Sequence, residues 1–495
     1  MADYKSTVFG VIARDVSSPV GIPAGADIPI FTIALDDSKV YNVVEEYELS
    51  AADITAIGSD AKKVVMKSFE SDGITVRKVG TDDLAGFYVW VVGHSENYLI
   101  SSNEQSTVAG EVIITLEDDI GTALVETDDV KVRKFRGFKY ITQHGNISSY
   151  LDAFYQREVD GSYDITTSEV GYYAIRNYGE NGGSVFFILP VEYSDTKATL
   201  VSNLAPLADP IVISQLSQVN TATLMCCPKG YVPSDAAIAA ADYQVIDGTY
   251  IDYVSNRAID TTNDKRRMQY IYGVMSPTIA TAESYQTDLN KNNYRTSSIF
   301  PSIKVRPALG VDLVKIDSAA GFCGLTARVH SVSANKEGQA PAGVQDGQFA
   351  GVVKLGVEFT RPDLVALQSS HLNTIVNFQG FYVHGDFTNF TTPGRIERNS
   401  HIVYAANRIS NLCIPYAESF TMKPNNATIR LVISEGMRSI CQSAVDDQAI
   451  EDYRVRDLTS TIDIQNNTGR WGIYLLHLGV LEFMELTFSS SLGEF

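Results

Sequence analysis

Apolar and polar positions alternate with a period of two along much of this chain, and in fewer places with a period near 3.6. In "GVLEFMELTF" (479–488), Met484, Leu486 and Phe488 fall on one side and Glu485 and Thr487 on the other, with Phe483 leading in. That is a strand pattern whose apolar side must be covered. "TVFGVIARD" (7–15), carrying Val8, Phe9, Val11 and Ile12, is strand-like as well. A linker rich in Gly, Ser and Pro follows it ("SSPVGIPAG", 17–25), so it has no hairpin partner in the chain. Next, "KVYNVVEEY" (39–47) predicts a strand, "SDAKKVVMKSFE" (59–70) a helix and "GITVRKVG" (73–80) a strand. On that helix Ala61, Val64, Val65 and Phe69 share a face, Ser59 is placed to cap the start, and Gly73 follows the end. The three together read as a β-α-β unit with a crossover.

From about residue 83 to 205 the texture becomes β-rich. "GFYVWVVG", "NYLISS", "GEVIITLED", "ALVETDDVKVRKF", "VGYYAIRNYG" and "GSVFFILPVEY" are short runs broken by Gly, Asn and Asp, and predict an inserted β domain. "GENGGS" (179–184) reads there as a hairpin loop. The α/β texture then returns. "TATLMCCPKGYVPSDAAIAAADYQVI" (221–246) reads as strand, loop and helix, and "SSIFPSIKVRP" (297–307) as strand and turn. Over 324–335 the spacing of Leu325, Val329 and Val332 predicts one apolar helical face, with Gly321 and Gly324 allowing close packing. In a later helix, Ile429, Val432, Ile433, Met437 and Ile440 form the buried stripe, and Asn425 or Asn426 caps the start. Arg430 and Arg438 lie two turns apart on another face.

At 495 residues the chain has room for three or four domains, and 44% apolar with 20% charged residues is the composition of a globular protein. Its 59 acidic and 39 basic residues give a formal charge of −20, which argues against binding nucleic acid or an anionic membrane surface. No run of 18 apolar residues exists, and "MADYKSTVFG" has no basic and then apolar leader, so neither membrane insertion nor secretion is expected. The N-x-S/T triplets at Asn146, Asn389, Asn426 and Asn466 are therefore read as chance matches. Five cysteines, with Cys226 and Cys227 adjacent, form neither a disulfide framework nor a zinc spacing, and read as reduced core thiols of a chain made in a cytoplasm.

Motifs for chemistry are missing. The chain has no phosphate-binding G-x-x-x-x-G-K-[ST], no H-E-x-x-H and no G-x-S-x-G. "DTTNDKRRM" (260–268) lacks the glycine and closing glutamate of a calcium loop. His94, His144, His330, His371, His384, His401 and His477 are scattered, and the pairs Asp118–Asp119 and Asp446–Asp447 read as solvated charge. No catalytic residue, cofactor or metal is expected.

The region after residue 294 resembles the contractile tail sheath proteins of myophages and related injection machines. "YRTSSIFPSIKV" holds Ile299, Phe300 and Pro301 at the family's aromatic-Pro strand. "SAAGFCGLTARVHSVSANKEGQAPAG" follows, with Gly324, Leu325, Ala327 and Arg328 in the family's Gly-rich helix and Ala340, Pro341, Ala342 and Gly343 in its closing loop. Leu372, Asn373, Asn377, Gly380, Val383 and Gly385 match the next segment, where His384 replaces the family's Trp and Asp386, Phe387 and Thr388 its Ala-Arg-Thr. "MKPNNATIRLVISEGMRSICQSAV" (422–445), with Pro424 and Asn425, is similar to a family helix, and "GRWGIYLLHLGVLEFMELTF" (469–488) to the closing strands, where Val480, Leu481, Glu482 and Phe483 stand at the family's Pro-Ala-Glu-Phe. "YELSAADITAIG" with "MKSFESDGITVRKV" matches an early element more loosely.

The resemblance implies an α+β / α/β multidomain chain: arm and linker 1–25, a discontinuous α/β sheath core in parts 26–82 and 206–380, an inserted β-rich outer domain 83–205, and a C-terminal domain 381–495. It implies a tube-facing helix at 425–445, carrying Arg430 and Arg438, although two solvated arginines are an equal reading. It implies terminal strands, 7–15 and 479–495, shared between subunits, with Gly21, Pro23, Gly25 and Gly479 as flexing positions. Implied partners are further copies of the chain, a tail tube protein, and baseplate and terminator proteins. The implied place is a phage tail assembled in host cytoplasm. The sheath of a cellular injection system is the alternative, and a tail-associated hydrolase or adhesin a more distant one.

Overall fold

The computed structural model describes residues 27–35, 42–49, 54–56, 63–67, 88–91, 97–105, 111–116, 130–136 and 141–477, the last range with short gaps of which 156–164, 258–267 and 331–338 are the longest. The arm 1–25 with its candidate strand and hinges, the strand at 73–80, Val332 and the closing segment 479–495 lie outside the described residues.

An eight-stranded sheet organises the larger of two compact units, residues 1–35 with 141–495. Its strands are β1 (Pro29–Leu35), β2 (Thr142–His144), β3 (Phe186–Glu192), β4 (Leu224–Cys226), β5 (Gln269–Gly273), β6 (Thr296–Phe300), β7 (Leu372–Asn377) and β8 (Phe381–His384). Their spatial order is β8-β7-β6-β5-β4-β1-β3-β2, parallel from β7 to β3 and antiparallel at both edges. The chain thus steps from β1 to one side, returns to β4 on the other, and continues outward. This is a doubly wound sheet whose strand order reverses between β1 and β4.

Strands buried on both faces need apolar side chains on both. "PIFTIAL" of β1 is buried at every position. Its Phe31 packs on Tyr178 of α1 (Val170–Glu180), with ring centroids 5.2 Å apart, whereas Thr32 on the opposite face accepts a 2.7 Å hydrogen bond from Tyr250 of α2 (Ala240–Arg257). Helices therefore cover both faces. On the first, α1 meets α3 (Ala319–Val329) almost backbone to backbone. A Cβ at Gly324 would lie 2.2 Å from the Tyr178 carbonyl, and one at Gly321 2.0 Å from Asn177 Oδ1.

The structure departs from expectation in the first half of the chain. Residues 36–140 are a compact unit of their own, with an antiparallel sheet in the order 42–49, 130–136, 88–91, 97–105, 111–116, 63–67, 54–56. The helix expected over 59–70 is instead the strand Lys63–Lys67, paired antiparallel with Glu111–Thr115. The β-branched pair Val64–Val65 suits a pleated surface better than a helix. The β-α-β reading of 26–82 falls with it.

Conversely, "VGYYAIRNYG" is the helix α1 and not a strand. Its buried Val170, Tyr173, Ala174, Asn177 and Tyr178 repeat with helical spacing, a signal masked by the β-favouring Tyr and Val. "GENGGS" is accordingly a helix end and not a hairpin loop. Gly182 has φ +96°, its N–H reaches the Gly179 carbonyl at 2.9 Å, and the Gly183 N–H reaches that of Tyr178 at 3.1 Å. Residues 141–205 thus belong with the large sheet. The division expected at 380/381 falls inside the β7–β8 hairpin.

Candidate functional site

Doubly wound sheets hold ligands in the crevice outside the carboxyl ends of their strands, where the order reverses. Here that crevice is filled by the chain itself. The turn after β4 sends Lys229 inward, and its Nζ lies 2.5 Å from Asp247 Oδ2 on α2 and 2.8 Å from the Gly273 carbonyl at the end of β5. The rings of Tyr243, Tyr272 and Tyr285 stand 5.2–5.5 Å from the ammonium. Tyr270 donates to Asp247 Oδ1 at 2.8 Å and Tyr285 to Oδ2 at 2.5 Å. Asp317 accepts from the Lys229 backbone N–H at 2.9 Å, and burial pushes its carboxyl up to about 7 against the pull of the nearby ammonium. The Ala34 N–H donates to the Tyr231 hydroxyl at 3.1 Å, which closes the end of β1. Sequence reading missed this cluster, because Lys229, Asp247 and Asp317 are far apart in the chain and belong to no motif.

The second place of interest lies near the C-terminus. Helices α4 (Ser400–Glu418) and α5 (Ala427–Asp446) pack on a hairpin of β9 (Asp452–Asp457) and β10 (Trp471–Leu476). Asn426 caps α5, accepting from the Ile429 N–H at 2.9 Å, while Asn425 donates to the Thr468 carbonyl at 3.0 Å. The buried stripe runs Ile433, Met437, Cys441, Ala444; Ile429 and Ile440 flank it, but Val432 is 43% exposed and Leu431 57%. The expectation that Val432 is buried is thereby corrected: the core lies one position further round the helix.

Arg430 is held within this module. Its Nε meets Asp457 Oδ2 at 3.0 Å and its Nη1 meets Asn425 Oδ1 at 3.1 Å, leaving its side chain 15% exposed. Arg438 pairs with Glu435 at the surface. It also borders a groove of about 660 Å³ with Gln442 and with Asp452, Arg454, Arg456 and Asp457 of β9.

The β9–β10 sheet has two strands only, and among the described residues neither outer edge is paired. One face, with Tyr453, Val455, Trp471, Ile473 and Leu475, packs on the helices. The other carries Arg454 and Arg456 beside Tyr474 and Leu476, each of the latter pair 53% exposed. Two strands are marginal alone, and open edges invite further strands. The alternation in "DYRVRD" was the available signal for this surface.

Several of the motif positions read from the sequence are held by hydrogen bonds or buried. Pro301 accepts from Ser318 Oγ at 2.9 Å. Arg328 donates to the Asp346 and Gln348 carbonyls at 3.2 and 2.8 Å, and Pro341 is buried nearby in sequence. Asn373 is fully buried and ties three segments: it donates to the Ser298 and Phe387 carbonyls at 2.9 and 2.8 Å and accepts from the Phe387 N–H at 2.7 Å. Asn377 is exposed at the end of β7, and Pro424 is exposed before α5. Among the described residues, no helix is long and apolar enough to cross a membrane, and no group of three His, Cys, Asp or Glu could hold a metal.

No family model and no curated protein sequence matches the chain. Solved structures do. The anti-feeding prophage (AFP) helical sheath in its contracted state is 15% identical, with TM-score 0.54 over 71% of this chain and 88% of that one. The AFP baseplate in its contracted state gives TM-score 0.57 at 16% identity, over 71% and 89%. The sheath complex of PVC, an extracellular contractile injection system, also contracted, gives TM-score 0.51 at 15% identity, over 71% and 87%. The chain has the fold of the chains matched in these structures.

Proposed function

We propose that this chain is a structural, non-catalytic subunit of a contractile sheath that polymerises around an inner tube and is anchored on a baseplate. The observation that carries the reading is the likeness to the AFP and PVC sheaths across nearly their whole length. The β9–β10 hairpin, whose outer edges are unpaired among the described residues, supports it, because those edges suit strands added by other copies. In this reading the segments 7–15 and 479–495 of neighbouring copies complete that sheet, and the linkers around Gly21, Pro23, Gly25 and Gly479 let copies pivot while tethered. A head-to-tail exchange does not close on two copies, so it builds a helix or stacked rings. Contraction is then passage between two packings of the same folded units, with the contracted one lower in free energy. The filled crevice fits a role without substrate turnover.

The PVC sheath belongs to an extracellular contractile injection system, which favours such a particle; a phage tail, with genome ejection, is the second reading. Electron microscopy of the purified chain is the test. Hollow cylinders are expected, whereas monomers persisting across salt concentrations and after seeding with a tube protein would overturn the assembly reading.

A further inference from the structure

An ammonium and a carboxylate pressed together away from water are costly to keep as ions. Lys229 and Asp247 are such a pair, 2.5 Å apart with side chains 1% and 0% exposed. Condensation of such a pair needs one proton to pass along that contact, so that the nitrogen lone pair faces the carboxyl carbon. The surroundings here are the tyrosine rings around Nζ. The reacting groups are also oriented. The Gly273 carbonyl holds one Nζ hydrogen at 2.8 Å, Tyr270 OH points at Asp247 Oδ1 and Tyr285 OH at Oδ2.

We propose that Lys229 and Asp247 condense into an intramolecular isopeptide bond that ties the turn after β4 to α2. The Nζ lone pair attacks Cγ of Asp247 and forms the C–N bond. Tyr270 donates to Oδ1, where negative charge develops, as an oxyanion donor does. The Cγ–Oδ2 bond then breaks and Oδ2 leaves as water, taking two of the three hydrogens that began on the ammonium. The third stays on the amide nitrogen. No oxidant, metal or second molecule is needed. Asp317 acts as a positioning residue, since it holds the Lys229 backbone and not Nζ. Contact geometry supplies the high effective concentration that such a condensation requires. The cross-link would close the sheet covalently where its strand order reverses, and it does not depend on the assembly reading.

Mass spectrometry of the full-length folded chain, denatured after purification, tests this. The expected chain is lighter than its sequence mass by one water. Its tryptic map contains a branched peptide joining Lys229 to Asp247, with no cleavage after Lys229. Lys229→Arg is expected at full sequence mass, and Tyr270→Phe to form the bond several-fold more slowly. A wild-type chain of full mass, cleaved normally after Lys229 following prolonged incubation of the folded protein, overturns the proposal. Should Lys229→Arg fail to fold, the wild-type peptide map decides alone.

Discussion

His144 lies on the short edge strand β2, buried against Phe186, Tyr150 and Phe154, with its ring stacked on Phe186 at 5.6 Å. Burial pushes its imidazole down to about 4 from an ordinary 6.5, and a backbone hydrogen bond at Ser149 only partly offsets this. The folded chain therefore refuses a proton that the unfolded chain accepts. Above pH 6.5 both states are neutral and the histidine adds no pH dependence. As pH falls from 6.5 to 4, stability is lost at ~1.4 kcal/mol per unit, about 3 kcal/mol in all. Urea unfolding at pH 7.5, 5 and 4 on wild type and His144→Gln checks it. The wild type is expected to lose more stability on acidification than the variant, and equal slopes would refute the assignment. Asn373 makes the complementary point. Its tying of segments is visible only in the structure, because three hydrogen bonds to two other segments leave no local trace in the sequence.

Among the elements, α5 was the most legible. Its apolar period and its Asn-rich start both sit in contiguous sequence, although only the structure chose Asn426 over Asn425 as the cap. Asn426→Ala is expected to cost about 1 kcal/mol by removing the acceptor for the Ile429 N–H, while Asn426→Asp keeps it. Chemical denaturation of the three proteins measures this, and an alanine variant as stable as wild type would contradict the cap. The helix α1 was illegible for the opposite reason. Its tyrosines and valine favour strands locally, and what makes it helical is burial against α3, where Gly321 and Gly324 admit its backbone.

For the whole molecule, the contrast is between a large sheet with one shielded edge and a hairpin whose outer edges are unpaired among the described residues. The large sheet has its antiparallel edge β8 shielded, since Phe349 and Val383 backbone N–H groups bond across to Phe381 and Gly347 at 2.8 Å. The β9–β10 pair has no such cover among the described residues. Deleting residues 478–495 is therefore expected to leave the main cooperative melting transition within a few degrees of wild type while abolishing cylinders. Circular dichroism and electron microscopy on the same sample separate the two effects. Loss of the melting transition, or cylinders formed by the truncated chain, would contradict the assembly reading.

The sequence by itself determined the class of the chain, the strand-loop-helix units from residue 221 onward, the close-packing glycines of α3 and the capped helix α5. These depend on periodicity and on neighbours a few residues away. Tertiary structure alone decided that 63–67 is a strand and 170–180 a helix, that 36–140 is a unit of its own, and that Lys229 meets Asp247. In each of these the free energy comes from partners outside the local stretch, 18 residues away for Lys229 and Asp247 and further for the others, and a local pattern carries no record of which surface will cover it.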